Sequence, residues 1–158
     1  QSVDELVAAW RGARPALDPS HLHVLGRLSR IEAGARRRVE AWLAPHGLSW
    51  DMFDLIATLL RAPDHAMRPG ELSRWCLLSS GAMTKRIDRV VAAGLAERRP
   101  DPADRRAQLV RLTPAGVKAA ERVVPIHFAA ARELLGALTR EEREAFATLG
   151  RKLLRAVE

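Results

Sequence analysis

A mainly α-helical chain with one short β-hairpin is the fold class this sequence predicts. Three observations carry that reading. Apolar residues recur at steps of three and four over most of the 158 residues. Pro, Gly, Ser and Thr stand where helices start and stop. The period changes to two in a single place, on either side of a polar run at 100–106. With 47% hydrophobic residues the chain can bury a real core.

The elements follow in order. Residues 2–13 read as a short helix ending before Pro15, and Pro15 and Pro19 frame a turn. A long helix spans about 19–44, with Val24, Leu28, Ile31, Ala35, Val39 and Trp42 forming one stripe. Pro45 and Gly47 close it. Such a stripe asks for more partner surface than one small domain supplies. Ser49 suits the cap of a helix at 50–61, with Asp51 in its first turn. Pro69 suits the first position of a short helix at 69–76. Ser79 or Ser80 caps the next helix, about 80–93, and Gly94 ends it. Strands at 95–99 and 107–112 flank the polar turn. Thr113 and Pro114 open a helix that Pro125 is expected to interrupt or kink. Thr139 and Glu142 form a capping box for a last helix at 140–157.

Charge narrows the partners. Lys plus Arg is 26 against 19 Asp plus Glu, a net charge of +7. An excess of this size points to a polyanion, nucleic acid or an anionic membrane, although an Arg-rich solvated surface looks the same in composition. No apolar run approaches the roughly 20 residues that span a bilayer, and no secretory signal is visible. The single Cys76 excludes an internal disulfide and suits a reducing cytoplasm, the expected location. The five histidines have no metal spacing. No Ser-His-Asp set, Gly-rich phosphate loop or catalytic carboxylate pair stands out, so neither an enzyme, a metal nor a cofactor is expected.

The helix at 80–93 separates two faces at 100° per residue. Met83, Ile87, Val90 and Val91 lie on one side. Gly81, Lys85, Asp88 and Arg89 lie opposite, with Ser80 and Thr84 on the flank. It follows the short helix across a tight link, which makes a helix-turn-helix whose second helix is free to enter a major groove. An ordinary amphipathic surface helix shows the same pattern. The hairpin directly after it decides between the two, because a basic tip there reads as a wing. Arg105 and Arg106 suit an adjacent minor groove, and Asp104 reads as a brace that orients a neighbouring Arg. The expected DNA-binding residues are Ser79, Ser80, Thr84, Lys85, Arg89, Arg105 and Arg106.

The wing residues Asp101-Pro102-Ala103-Asp104-Arg105-Arg106 and the following Val110-Arg111-Leu112-Thr113-Pro114-Ala115-Gly116 resemble the wing signature of the MarR regulators. Pro69-Gly70-Glu71-Leu72-Ser73 and Met83-Thr84-Lys85-Arg86-Ile87-Asp88-Arg89 are similar to that family's helix-turn-helix. The resemblance covers essentially the whole chain. It implies a winged helix-turn-helix, dimerised through N- and C-terminal helices, that binds pseudo-palindromic operators in double-stranded DNA. The organisation expected is 1–45 for the N-terminal and long dimerisation helices, 46–116 for the DNA-binding region, and 117–158 for the C-terminal dimerisation helices, all in one continuous domain.

An added N-terminal helix bearing a Trp resembles the family's urate-responsive branch. In that branch a Trp, an Asp and two Arg form a ligand pocket, and the matching positions here are Trp10, Asp54, Arg86 and Arg98. The chain departs from one member at Glu32, where that member has a His. The residues themselves fit such a role. Arg86 lies at the edge of the buried stripe, and an Arg there needs an anionic partner. Asp54 is one candidate, and an anionic ligand is another. Urate is a flat monoanion able to stack on Trp10 and pair with Arg98. Plain packing and structural ion pairs would use the same residue types. The resemblance therefore implies a repressor relieved by a small anionic ligand, urate or a related purine. The alternatives are a regulator of the same fold answering another aromatic or carboxylate anion, and a basic architectural DNA-binding protein without ligand control. Cys76, beside Trp75 and Leu77, reads as a small buried hydrophobe rather than a peroxide sensor.

Overall fold

The computed structural model describes residues 2–157, with the side chain of Arg105 left out. Among the described residues are seven α-helices, three single-turn 3-10 helices and a three-stranded sheet. The chain groups into two compact units, one ending at Trp50 and the other beginning at Asp51.

The first unit is a helical hairpin. Helix α1, Val3–Ala13, opens with a full capping box: Ser2 accepts from the Glu5 N–H, and Glu5 reaches back to the Ser2 N–H. Helix α2, Leu22–Leu43, lies against it. Val3 and Val7 are buried between them, and Gly26 gives Val3 its place. Arg27 holds both oxygens of Asp4, at 2.8 and 2.9 Å. Gly47, at φ +69°, turns the chain after α2. The stripe on α2 is only partly covered within the chain. Val39 is buried, but Val24 and Ile31 are 54% and 55% exposed.

The second unit carries helices α3 (Trp50–Leu60), α4 (Pro69–Trp75) and α5 (Ser80–Ala92). Strands β1 (Ala66–Met67), β2 (Ala96–Asp101) and β3 (Asp104–Leu112) form an antiparallel sheet in the order β1-β3-β2. Helices α6 (Pro114–Leu134) and α7 (Arg140–Leu154) follow. The core draws Leu55, Ile56 and Leu59 from α3, Leu72 from α4, Met83, Ile87 and Val90 from α5, Val110 from β3 and Val123 from α6. His127 of α6 packs on Phe53 of α3 with ring centroids 4.7 Å apart, and burial pushes its pKa down. Helix α7 keeps its capping box at Thr139 and Glu142 but buries no residue, and Phe146, Leu149 and Leu154 remain more than half exposed.

Four sequence expectations change. The hairpin is longer than 95–99 paired with 107–112, because the strands run to Asp101 and from Asp104 and the turn shrinks to Pro102 and Ala103. The physical reason is Asp101, whose carboxylate accepts the Ala103 N–H at 2.8 Å and closes the turn. A third strand, β1, pairs Ala66 with Arg111 and Met67 with Val110; two residues are too few to show a period. Pro125 does not end α6, whose helical span continues to Leu134. Pro125 lies inside the helix and is itself exposed. The last helix stops at Leu154 rather than 157.

Candidate nucleic-acid interface

Helix α5 divides its residues as its sequence demands. Ser79 caps it by accepting from the Ala82 N–H at 3.3 Å. Met83, Ile87 and Val90 face the core. Ser79, Ser80, Gly81, Thr84, Lys85 and Arg89 are all exposed. Thr84 donates its hydroxyl proton to the Ser80 carbonyl at 2.9 Å, which leaves the oxygen free to accept. A helix with small hydroxyl residues near its N-terminus and cations one and two turns on is able to approach a phosphate backbone and read base edges beyond it.

The wing is held near its tip, beside the turn, by a pair that the sequence did not disclose. Asp101 is 6% exposed. Its Oδ2 accepts from Arg68 Nε at 2.7 Å and lies 2.6 Å from Arg68 Nη2, while its Oδ1 accepts the Ala103 N–H. Arg68 is also the cap residue of α4, and its backbone N–H donates to Glu71. One arginine thus ties the wing to the start of the helix-turn-helix. The Ala103 N–H first, and the Arg68 guanidinium next, hold the Asp101 carboxyl below the usual carboxylate range. The pair's contribution is present above pH 3.8 and fades only as pH falls through the lowered value. Asp104 accepts the Arg106 backbone N–H at 3.0 Å, so it shapes the chain at the tip. Arg106 is exposed. The side chain of Arg105 lies outside the described residues. Asp101→Asn is expected to weaken operator binding several-fold at neutral pH in a fluorescence-anisotropy titration. Arg68→Lys, which keeps the charge but loses the fork, is expected to fall between Asp101→Asn and the parent. Unchanged affinity in both variants would show that the wing holds its angle without the pair.

Behind α5 lies an ionic cluster. Arg86 is buried, with 7% of its side chain exposed, and it donates to Asp54 through Nη1 and to Asp51 through Nη2 at 2.9 Å. Asp51 also accepts from Arg89 Nη2 at 3.3 Å. Both carboxylates come from one face of α3, where a spacing of three residues puts them side by side. The structure thus brings together Asp54 and Arg86 and adds Asp51, which the sequence marked only as a first-turn acid. Arg98, on β2, pairs with Asp88 of α5 at 2.8 Å. Trp10 belongs to α1 in the first unit and is 45% exposed. Cys76 is half-buried beside Thr58. Burial, and after it the Asp54 carboxylate, push its thiol up, the opposite of an activated nucleophile. Among the described residues, no cluster of His, Cys, Asp or Glu is able to hold a metal ion, and no helix is long and apolar enough to cross a membrane.

Comparison with known proteins agrees with this geometry. The profile described as MarR family matches residues 46–107, the stretch that holds α3 to α5 and most of the wing. The chain is 34% identical over 152 residues to the HTH-type transcriptional regulator PecS of Dickeya dadantii, covering 94% of this chain and 91% of that protein. A mutant MarR from E. coli, solved in complex with operator DNA, superposes with a TM-score of 0.77 at 28% identity, covering 87% of this chain and 99% of that one. AbsC, a MarR family transcriptional regulator from Streptomyces coelicolor, shares the fold with a TM-score of 0.82 at 20% identity over 89% of this chain and 96% of that one. The chain belongs to the MarR family and is a winged helix-turn-helix, DNA-binding transcriptional regulator.

Proposed function

We propose that the protein is a homodimeric repressor whose hold on a pseudo-palindromic operator is relieved by a small anionic ligand, urate or a related purine. The observation that carries this reading is Arg86, a buried cation on the reading helix held by two carboxylates of α3. Anything that disturbs those carboxylates acts directly on the helix that meets DNA. In this reading Ser79, Ser80, Thr84, Lys85 and Arg89 face the major groove. Arg105 and Arg106 reach the minor groove, with Asp104 shaping the tip. Trp10, Asp54, Arg86 and Arg98 answer the ligand: Trp10 offers a flat apolar face, Arg98 a cation, and Asp54 the repulsion that transmits the signal. The exposed apolar residues of α2 and α7 support a dimer, with 1–45 and 117–158 as the dimerising parts around a DNA-binding region at 46–116. A cytoplasmic location goes with this role.

The test is a DNA-binding titration with and without urate, run on the wild type, Trp10→Phe, Asp54→Asn and Arg98→Ala. Urate is expected to weaken wild-type binding by about 5- to 150-fold, the usual range of a coupling between two sites. Arg98→Ala should lose most of that response. Asp54→Asn should still bind urate while releasing DNA less. Release by another aromatic or carboxylate anion but not by urate keeps the regulator and changes the ligand. Indifference to every anion leaves an architectural DNA-binding protein.

A further inference from the structure

Asp51 is shared between two arginines with different tasks. Its Oδ1 takes one N–H of Arg86 at 2.9 Å, and its Oδ2 takes one N–H of Arg89 at 3.3 Å. Arg86 has 7% of its side chain exposed and Arg89 has 58%. They sit three residues apart on α5, close enough to compete for one acceptor. Arg89 is loosely held: a single long bond to Asp51, and another from its Nε to the Lys85 carbonyl at 3.4 Å. The strong alternative for an arginine and a carboxylate is the two-point fork. Arg86 occupies the oxygen that such a fork on Arg89 would need.

A guanidinium that reads a guanine also needs two of its N–H groups on the base. A guanidinium has five N–H groups and can fork to two acceptors, so what a fork to Asp51 fixes for Arg89 is the direction of its guanidinium, toward α3 rather than toward a base. We propose that Asp51 is a positioning residue that sets how much of Arg89 is available to DNA, with Arg86 as the competitor that keeps Asp51 occupied. When Arg86 is drawn off, Asp51 closes on Arg89 and removes it from the groove face while α5 stays where it is. The inference rests on α5 being the base-reading helix, and it deepens the ligand reading by naming the contact at which a signal on Arg86 becomes a change in base selectivity.

The test needs no ligand. A duplex obtained by in-vitro selection with the wild-type protein, and its single-base-pair variants, are titrated against wild type, R89A, R86Q, D51N/R86Q and D54N/R86Q, below the unfolding temperature of each. The quantity read is the ratio of affinities for the selected duplex and its variants, so the general gain from removing a negative charge near DNA cancels. R89A is expected to lose discrimination at one position by on the order of tenfold. R86Q should lose it at the same position, because Asp51 is now free to fork with Arg89. D51N/R86Q should regain it. D54N/R86Q removes the same charge but leaves Asp51 in place, and it should not regain it. Equal recovery in both double variants overturns the proposal in favour of simple charge balance, and so does full discrimination by R86Q. If R89A itself discriminates like wild type, the base-reading role of Arg89 has failed and the proposal falls with it. Should R86Q not fold, the D51N single variant decides: sharper discrimination at the Arg89 position supports the proposal, and an unchanged or blunted ratio overturns it.

Discussion

Gly116→Ala is expected to lower the thermal midpoint by about 6–12 °C. Gly116 lies buried in the first turn of α6. A Cβ built there would stand 1.8 Å from the Leu95 carbonyl oxygen and 2.8 Å from the Leu95 carbonyl carbon. Both obstacles are backbone, so no rotamer change relieves them. The Leu95 carbonyl is also in use, because it accepts the Thr113 N–H at 3.1 Å. Thr113 in turn donates its hydroxyl to the Gly94 carbonyl at 2.7 Å and accepts the Gly116 N–H at 3.0 Å. Backing α6 away far enough to seat a methyl therefore breaks the junction that joins the end of α5, the start of β2 and the start of α6. Overpacking costs about 1–3 kcal/mol in ordinary cores, and a backbone obstacle places this case near 3. In a chain of this size each kcal/mol moves the midpoint by about 2–4 °C. Differential scanning calorimetry reads the shift. Gly150→Ala is the control: nothing lies within 4 Å of its Cβ, and in mid-helix it should stabilise by up to about 1 kcal/mol. Equal midpoints for the two variants would mean that the α5–α6 junction yields freely.

The parts of this fold that were legible in the sequence are those decided by neighbours in the chain. Thr113 with Pro114, Thr139 with Glu142, and Gly94 after α5 each act within four residues, and each appears where local chemistry puts it. The two faces of α5 were legible for the same reason, since one period fixes both. What stayed hidden depends on distant partners. Arg68 and Asp101 are 33 residues apart, and nothing in the run from Asp101 to Arg106 says which of its two acids is buried. Asp51 looked like a first-turn acid because that role is local. Its bonds to Arg86 and Arg89, 35 and 38 residues on, depend on how α3 packs against α5. The Asp54–Arg86 pair was reachable as one option, beside an anionic ligand, because a buried arginine needs an anion and the family resemblance pointed to Asp54; Asp51 was not a candidate, and the structure uses both.

Arg86→Met is expected to cost about 2–3 kcal/mol of stability, most of it recovered when Asp51 and Asp54 are made neutral as well. The reason lies in what each change leaves behind. Removing one partner of a buried ion pair strands the other charge, at a cost of about 3–5 kcal/mol, whereas replacing the whole set by neutral groups is often harmless. Here Arg86 is almost fully buried, but Asp51 and Asp54 keep 33% and 26% of their side chains exposed, so water softens the loss and the lower figure applies. Two carboxylates side by side on α3 then repel each other, with only the exposed Arg89 left to pair with Asp51. Asp51→Asn and Asp54→Asn remove that repulsion, and the Met stem fills much of the space of the Arg methylenes. Urea unfolding read by circular dichroism should place the single variant well below wild type and the triple variant within about 1 kcal/mol of it, since changes that share one cluster do not add. If the triple variant is no more stable than Arg86→Met alone, the loss belongs to the packing of the guanidinium and not to the stranded acids. Recovery of stability in the triple variant should not bring back any response of DNA binding to an anionic ligand, because the charges that would carry that response are gone while the fold remains.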